Sequence, residues 1–178
     1  MEHYIADDSL YAEQFNTLLL VDKALGEKEF EVEPVFYLVG GTAILLHGIT
    51  SVFTIDIDCA NKLTEQVKEA TYELISDMAS EVVQLPKLYE TRLVHFKGDV
   101  FKNCHIFLIS IPDIIITKCA AYRTKDKEDL ITTDIMDRCE PQTVMSIIEQ
   151  EMPTESRDML KKRFLHLYEE RTLYKVKE

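Results

Sequence analysis

Two adjacent glycines, Gly40 and Gly41, constrain the fold of this chain more than any other feature. Residues 35–39 before them form an apolar run of strand length, and residues 42–47 after them predict a short helix. Glycines at such a strand-to-helix turn let the backbone approach a ligand closely, and a helix N-terminus offers free N–H groups to a phosphate. Gly40, Gly41 and Thr42 are therefore a candidate phosphate-binding turn, although glycines also serve tight turns that bind nothing.

Two aspartates, Asp56 and Asp58, lie near the end of a second predicted strand over residues 52–58. Alternation along a strand places both carboxylates on one face, where like charges repel unless a cation lies between them. Mg²⁺, or Mn²⁺ in its place, fits because proteins usually hold Mg²⁺ with one or two carboxylates plus substrate phosphates. The D-x-D pattern is common, so the alternative is two polar residues on a solvent-exposed strand face.

The remaining pattern predicts an α/β (α+β) fold, a mixed β-sheet with flanking helices and a helical C-terminal part. Further helices are predicted over 9–25, over 62–79, from Ser110 to about 123, from Asp129 and after Pro141 and Pro153, with a polar interruption over 124–128; further strands are predicted over 82–85, 91–96 and 105–109. Hairpin connections argue against a purely parallel sheet. We expect one domain over residues 1–135 and a helical segment over 136–178 packed on it.

Composition indicates the cellular environment of the protein. No run approaches the roughly 18–20 apolar residues of a membrane helix, and the first residues are acidic rather than signal-like, so we expect a cytoplasmic protein without a membrane partner. The four cysteines form no C-x-x-C pair, which indicates reduced and mostly buried thiols. A net charge of -12 argues against a surface that binds nucleic acid indiscriminately.

The segments over 36–49 (FYLVGGTAILLHGI) and 54–58 (TIDID) together resemble the DNA polymerase β-type nucleotidyltransferase superfamily. Within it they resemble the small bacterial AbiEii/MenT-like toxins and their relatives. Residues 112–123 (PDIIITKCAAYR) and 125–130 (KDKEDL) look like a later motif of that family. The resemblance covers about residues 35–131.

The resemblance implies a role for each matched residue. Gly40, Gly41 and Thr42 would hold a nucleoside triphosphate (NTP), and Asp56 and Asp58 would bind the metal and carry catalysis.

In the later motif, Lys118 would contact phosphates as a further catalytic residue, and Asp126 and Asp129 would complete or brace the nucleotide site. Without the resemblance, Lys118 is typical of a surface lysine on an apolar helix, and the two aspartates are typical of a helix start.

Two departures from the family pattern bear on activity. Relatives often carry an arginine where this chain has Val52, and a fuller site has a third carboxylate on a later strand. That strand, over residues 103–108, has no acid, and His105 occupies a comparable place. A neutral imidazole is a poor Mg²⁺ ligand, so an ordinary strand residue is the expected interpretation.

Three functions follow. The first is a metal-dependent nucleotidyltransferase that moves a nucleoside monophosphate (NMP) from an NTP to a hydroxyl of RNA, such as tRNA, or of protein. By the same resemblance it would be a toxin of a toxin–antitoxin system, with an antitoxin as partner. The alternative is a catalytically weak or inactive nucleotide-binding or interaction module of the same fold. The third is an α/β domain in which the glycine pair and the D-x-D pair are coincidental.

Overall fold

The computed structural model describes residues 8–49, 52 and 54–176 of the chain. These residues form two compact units. The first comprises the described residues up to Val82 together with Leu93–Leu108, and the second comprises Val83–Arg92 and the residues from Ile109 onward. The predicted boundary between residues 135 and 136 stays a prediction.

The first unit combines helices with two small groups of strands. Its helices are α1 (Asp8–Leu25), α2 (Gly40–Leu46), α3 (Glu65–Ala70) and α4 (Ala79–Val82), and its strands are β1 (Val35–Leu38), β2 (Ile57–Asp58), β3 (Ile75–Ser76), β4 (Val94–His95) and β5 (His105–Leu108). β5 lies between β1, to which it is parallel, and β4, to which it is antiparallel, whereas β2 pairs in parallel with β3. An antiparallel bridge from Leu38 to Cys59 links β1 to the residue after β2. The predicted mixed α/β class is confirmed.

The core of the first unit lies between α1 and the β1–β5 pair. Leu18, Val21 and Leu25 are spaced by three and four residues, so they share one helical face, and all three are buried. They belong to the same buried cluster as Phe36 of β1 and Ile106 of β5. Each such side chain stabilises the fold by about 1.5–3 kcal/mol. This packing fixes β1, and with it the glycine turn that follows.

The second unit is helical. It contains a 3₁₀ helix (Tyr89–Arg92), α5 (Ile111–Ala121), α6 (Thr124–Thr132), a second 3₁₀ helix (Asp134–Arg138), α7 (Pro141–Glu151) and α8 (Thr154–Lys175). As predicted, Ser110 is the N-cap of α5, because its side-chain oxygen accepts a hydrogen bond from the Asp113 N–H group. Apolar residues of α5, α7 and α8, such as Ile115, Ile148 and Phe164, are buried. The helical C-terminal part is thereby confirmed.

A buried ionic network joins three elements of the second unit. Arg92, at the end of the first 3₁₀ helix, donates through Nη2 to Asp113 Oδ1 at 2.7 Å and through Nη1 to Glu151 Oε1 at 2.6 Å. Asp113 lies in the first turn of α5 and is fully buried, and Glu151 is the last residue of α7. Glu151 also accepts a hydrogen bond from the Leu88 N–H group. A single guanidinium thus satisfies two carboxylates from different helices.

The predicted helix over 62–79 is wrong outside Glu65–Ala70. α3 spans only Glu65–Ala70, and Tyr72 and Glu73 then adopt left-handed backbone conformations that a helix cannot accommodate. The chain continues into β3, which pairs with β2. Met78, placed on the apolar stripe by its spacing, is 73% exposed. Strand pairing therefore overrides the local helical periodicity.

Three shorter predictions also need correction. The predicted strand over 82–85 is the end of α4 followed by irregular chain, and the one over 91–96 starts with the last two residues of the first 3₁₀ helix and is paired only at Val94–His95. The polar stretch over 124–128 is not an interruption but the first half of α6. The break lies earlier, at Tyr122, whose left-handed conformation ends α5.

The cysteines are free, and Cys59, Cys104 and Cys119 are buried, which confirms the prediction of mostly buried thiols. Burial raises the pKa of Cys119 to about 12. Helices that combine the length and the apolarity required to cross a bilayer do not occur in the described part of the chain.

Candidate functional site

The glycine turn begins α2 directly after β1. The helix begins at Gly40, two residues earlier than predicted, and Val39 in extended conformation is its N-cap without a side-chain hydrogen bond. Gly40 has a φ of +65°, in the left-handed region that glycine adopts without strain, and a Cβ built on it would meet nothing within 4 Å. The backbone at Gly40 is therefore open to a close neighbour.

Gly41 is required for a different reason. A Cβ at this position would lie 2.8 Å from the Cβ of Thr54, closer than side-chain carbons approach each other. The absence of a side chain lets the segment that leads to Asp56 lie directly against the first turn of α2. Gly41 thus brings two candidate motifs together.

We expect Gly41→Ala to destabilise the first unit by about 1–3 kcal/mol, because the added methyl group overpacks the contact with Thr54. Chemical unfolding measures this loss. Equal stability of Gly41→Ala and the wild-type protein would contradict the close approach.

Asp56 is held beside the turn through its backbone. Its carbonyl oxygen accepts a hydrogen bond from the Thr42 hydroxyl at 2.7 Å and another from the Thr54 hydroxyl at 3.3 Å. The Thr42 hydroxyl proton, which was predicted to serve a phosphate, is therefore directed at Asp56. The Asp56 side chain is exposed, so its carboxylate is open to a ligand.

Asp58 flanks the same turn from β2. Its carbonyl oxygen accepts a hydrogen bond from the N–H group of Val39 at 3.0 Å, one residue before Gly40. Its side chain is half-buried. The first unit therefore brings Gly40, Gly41, Thr42, Asp56 and Asp58 into one neighbourhood.

The predicted strand over 52–58 is much shorter than expected. Only Ile57–Asp58 is paired, and residues 54–56 have no strand assignment. Strand alternation predicts that Phe53, Ile55 and Ile57 share one apolar face, but Ile55 is 67% exposed while Ile57 is buried, so this prediction is wrong for Ile55. Phe53, the third residue assigned to that face, lies outside the described residues. Side-chain hydrogen bonds rather than a strand ladder fix the position of Asp56.

The donor set at this turn fits a hard divalent cation. Two carboxylates supply the oxygen ligands that Mg²⁺ prefers, and phosphates normally complete its shell. Burial, together with the neighbouring Asp77 and Asp58, raises the pKa of the adjacent Cys59 thiol to about 12, and a thiol is a softer ligand than Mg²⁺ prefers. Over the described residues, no group of three or more His, Cys, Asp or Glu side chains has the arrangement of a metal site. Any cation at the turn would thus rely on its substrate for further ligands.

His105 does not lie at the turn. It pairs in register with Val35, at the opposite end of β1 from Gly40, and three strand residues span about 10 Å. Its Nε2 atom lies 3.0 Å from Glu33 Oε2. The interpretation of His105 as an ordinary strand residue is confirmed. Val52, in the place of the family arginine, is buried.

The three candidate residues of the later motif lie together in the second unit. Lys118 of α5 is buried, and its Nζ atom lies 2.6 Å from Asp129 Oδ2 and 3.3 Å from Asp126 Oδ1. The interpretation of Lys118 as a surface lysine is therefore wrong. Asp129 was predicted to begin a helix, and that prediction is wrong. It lies within α6, on the face that meets Lys118.

Asp126 has a second function as the helix-start carboxylate of α6. Its Oδ2 atom accepts hydrogen bonds from the N–H group of Arg123 at 3.2 Å and from Arg123 Nε at 2.8 Å. Burial alone would raise the pKa of Asp126, but the bonds and charges of Arg123 and Lys118 outweigh it, so that the pKa lies below its usual value. The cluster is charge-compensated, with two cations for two carboxylates.

The depressed pKa of Asp126 predicts an acid-dependent stability. The stabilisation is complete above the unfolded-state pKa of about 4 and is lost as the pH falls through the lower folded-state pKa. We expect Asp126→Asn to lower the free energy of unfolding at pH 7 by about 1.5–3 kcal/mol, the range for hydrogen bonds to charged groups. Below pH 4 the variant should lose less of its stability with falling pH than the wild-type protein does. Urea unfolding between pH 7 and pH 2 measures both effects.

Asp134→Asn is the matched control, because Asp134 pairs with Arg138 at an exposed position. An exposed pair is worth about 0–1 kcal/mol. A cost for Asp126→Asn no larger than that of the control would contradict the buried cluster.

One residue beside the site was missed in the sequence. Gln14 of α1 is buried and donates to the carbonyl oxygens of Thr54 and Ile55, directly before Asp56. A signal for it exists, since Gln14 precedes Leu18, Val21 and Leu25 by four, seven and eleven residues. It is a polar residue on the apolar face of α1.

The model of a family described as nucleotidyltransferase of unknown function (DUF6036) matches residues 16–175, which include both the glycine turn and the later motif. Comparisons with curated proteins and with solved structures gave no match.

Proposed function

Since the chain belongs to this nucleotidyltransferase family, we propose that it moves an NMP from an NTP to an acceptor hydroxyl at the glycine turn of the first unit. One observation carries the proposal. The backbones of Asp56 and Asp58 are both bonded to the turn, through Thr42 and Val39, so both aspartates lie beside the turn in which Gly40 leaves the backbone open. This is the combination that an NTP with a divalent cation requires: an approachable backbone beside oxygen ligands.

In the proposed reaction, the acceptor oxygen attacks the α-phosphorus of the NTP. The bond from that phosphorus to the β-phosphate oxygen breaks, pyrophosphate leaves, and the hydroxyl proton passes to solvent. Asp56 and Asp58 would hold Mg²⁺ or Mn²⁺, which when bound neutralises triphosphate charge and lowers the pKa of the hydroxyl. The chain itself contributes positioning and electrostatics, which account for most of the rate in phosphoryl-type transfers.

Lys118 keeps its proposed role in phosphate binding, as do Asp126 and Asp129 in bracing it. The short contact of Lys118 with Asp129 supports a fixed orientation of the ammonium group. The substrate on the acceptor side is an RNA, such as tRNA, or a protein. The net charge of -12 favours an acceptor that is bound selectively rather than bulk RNA. The family resemblance supports a role as a toxin with an antitoxin partner.

A nucleotide-binding module without turnover is the second candidate. It is favoured by the buried Val52 in the place of the arginine and by the position of His105 at the far end of β1. The turn then has two carboxylates, with no third acid from β5 and no guanidinium at position 52, which is enough to hold a cation but less than a fuller site.

The deciding experiment incubates the protein with each labelled NTP, Mg²⁺ or Mn²⁺, and either total RNA or cell protein. Label is expected in one acceptor fraction with the wild-type protein and not with Asp56→Ala. Label that persists with Asp56→Ala would contradict the proposed mechanism. A rise in melting temperature with Mg-NTP but no label in any fraction would identify the binding module. Growth arrest on expression of the wild-type protein, absent with Asp56→Ala, tests the toxin role.

A further inference from the structure

Gln14 carries an unusual buried polar atom. Within the described residues, two buried side-chain polar atoms have no hydrogen-bond partner, and one of them is Oε1 of Gln14. Gln14 is only 2% exposed. Leaving a buried acceptor unpaired costs free energy. An apolar residue would fill the same place on α1 without that cost, so the amide has a use other than packing.

The nitrogen of the same amide makes two hydrogen bonds. Nε2 of Gln14 donates to the carbonyl oxygen of Ile55 at 3.1 Å and to that of Thr54 at 3.4 Å. These two carbonyls immediately precede Asp56. The contact spans about forty residues of sequence and joins α1 to the segment that carries the first carboxylate.

The segment over 54–56 has little other support. Strand pairing begins only at Ile57, and Ile55 and Asp56 are exposed. The Asp56 carbonyl also accepts hydrogen bonds from the hydroxyls of Thr42 and Thr54. Gln14 is therefore a further side-chain contact that holds this segment, and it is anchored in a helix whose Leu18, Val21 and Leu25 are in the core.

We propose that Gln14 is a positioning residue of the active site, which fixes the backbone before Asp56 so that this carboxylate and Asp58 meet the same cation. The inference rests on the proposed function. Gln14 touches neither metal nor nucleotide and acts through the carbonyls of Thr54 and Ile55. Removal of a group that orients a metal ligand without touching the metal typically lowers metal affinity by about 10–100-fold.

The test uses the full chain and three variants. Gln14→Met keeps the length of the side chain but removes both the donor and the unpaired acceptor. Gln14→Asn keeps the amide but is too short to reach both carbonyls. The matched control is Gln66→Met, because Gln66 Nε2 also donates to a distant carbonyl, that of Glu29 at 3.0 Å, away from the glycine turn.

Two readouts separate positioning from folding. Titration with Mn²⁺ alone, followed by electron paramagnetic resonance, is expected to give a dissociation constant at least about tenfold higher for both Gln14 variants and unchanged for Gln66→Met. Hydrogen exchange without metal is expected to be at least about tenfold faster at residues 55–58 in the Gln14 variants only, as a local opening requires. The exchange readout also serves a variant that is too unstable for titration.

The outcomes are distinguishable. Unchanged Mn²⁺ binding by a folded Gln14→Met, or exchange that accelerates across the whole first unit rather than at residues 55–58, overturns the positioning role and leaves the proposed function intact. Absence of Mn²⁺ binding by the wild-type protein, with every NTP present as well as absent, overturns the proposed function and this inference with it.

Discussion

Replacement of Asp58 by asparagine is expected to slow nucleotidyl transfer by about 10³-fold, because the variant loses half of the carboxylate pair beside the glycine turn. Metal-assisted charge stabilisation is worth several kcal/mol, and about 4 kcal/mol corresponds to three powers of ten in rate. The amide keeps the shape of the side chain, and the backbone bond from Val39 to the Asp58 carbonyl does not depend on it. The measurement is the initial rate of label transfer at saturating NTP over a range of Mg²⁺ concentrations.

Asp99→Asn is the control, since Asp99 is an exposed carboxylate of the same unit. It should leave both the rate and the Mg²⁺ dependence unchanged. A wild-type rate in Asp58→Asn would exclude the carboxylate pair as the metal site. A loss of rate accompanied by an equal loss of folded protein would mean that Asp58 serves the fold instead.

Arg92→Met is expected to destabilise the second unit by about 3–5 kcal/mol, the cost of removing one partner from a buried ion pair. Asp113 is fully buried and would lose both of its guanidinium hydrogen bonds. Glu151 would lose two more. Urea unfolding at pH 7 measures the difference.

The matched control is Arg138→Met, whose partner Asp134 is exposed, and an exposed pair is worth about 0–1 kcal/mol. The pH dependence gives a second check. Arg92, and to a smaller extent the Leu88 N–H group, holds the pKa of Glu151 below its usual value against the effect of burial. The stabilisation by Glu151 is therefore present above its unfolded pKa of about 4.3 and is lost as the pH falls through the folded pKa. Arg92→Met should lose less stability over that acidic range than the wild-type protein; a parallel loss would contradict the network.

The sequence predicted the elements whose signals are local. The apolar run before Gly40 is β1, Ser110 caps α5, and Pro141 and Pro153 mark the starts of α7 and α8. Each of these signals acts within one turn or strand, through steric limits on the backbone or a cap. The mixed α/β class followed from their order.

The errors lie where distant contacts decide. The segment over 62–79 contains neither glycine nor proline, so nothing in its sequence marks the break at Tyr72 and Glu73. Its second half instead pairs with β2, and the benefit of that pairing depends on residues far along the chain. Similarly, the start of α6 at Thr124 depends on the Asp126 carboxylate turning back to the Arg123 backbone, a choice that polar composition alone conceals.

The candidate site shows the same division. The residue types and their order were evident from the sequence, but the means by which they are held was not. Three tertiary contacts hold them. Gly41 packs against Thr54, Thr42 donates a hydrogen bond to the carbonyl of Asp56, and Gln14 donates one to the carbonyl of Ile55. Lys118 could not be assigned to a buried cluster from spacing, because a lysine on an apolar helix most often reaches solvent.

Because of the way Asp56 is held, its segment can detach while the rest of the first unit stays folded. Its segment is fixed by a few side-chain hydrogen bonds, each worth about 0.5–1.5 kcal/mol, whereas β1, β5 and α1 share a continuous apolar core. A chain with an intact core and a detached Asp56 therefore lies at a lower free energy than the unfolded chain. Low concentrations of denaturant would populate this state first, so the Asp56 segment would detach before the secondary structure is lost, and a cation held there would be released first. A substrate that brings the cation would reverse that order by tying the segment down.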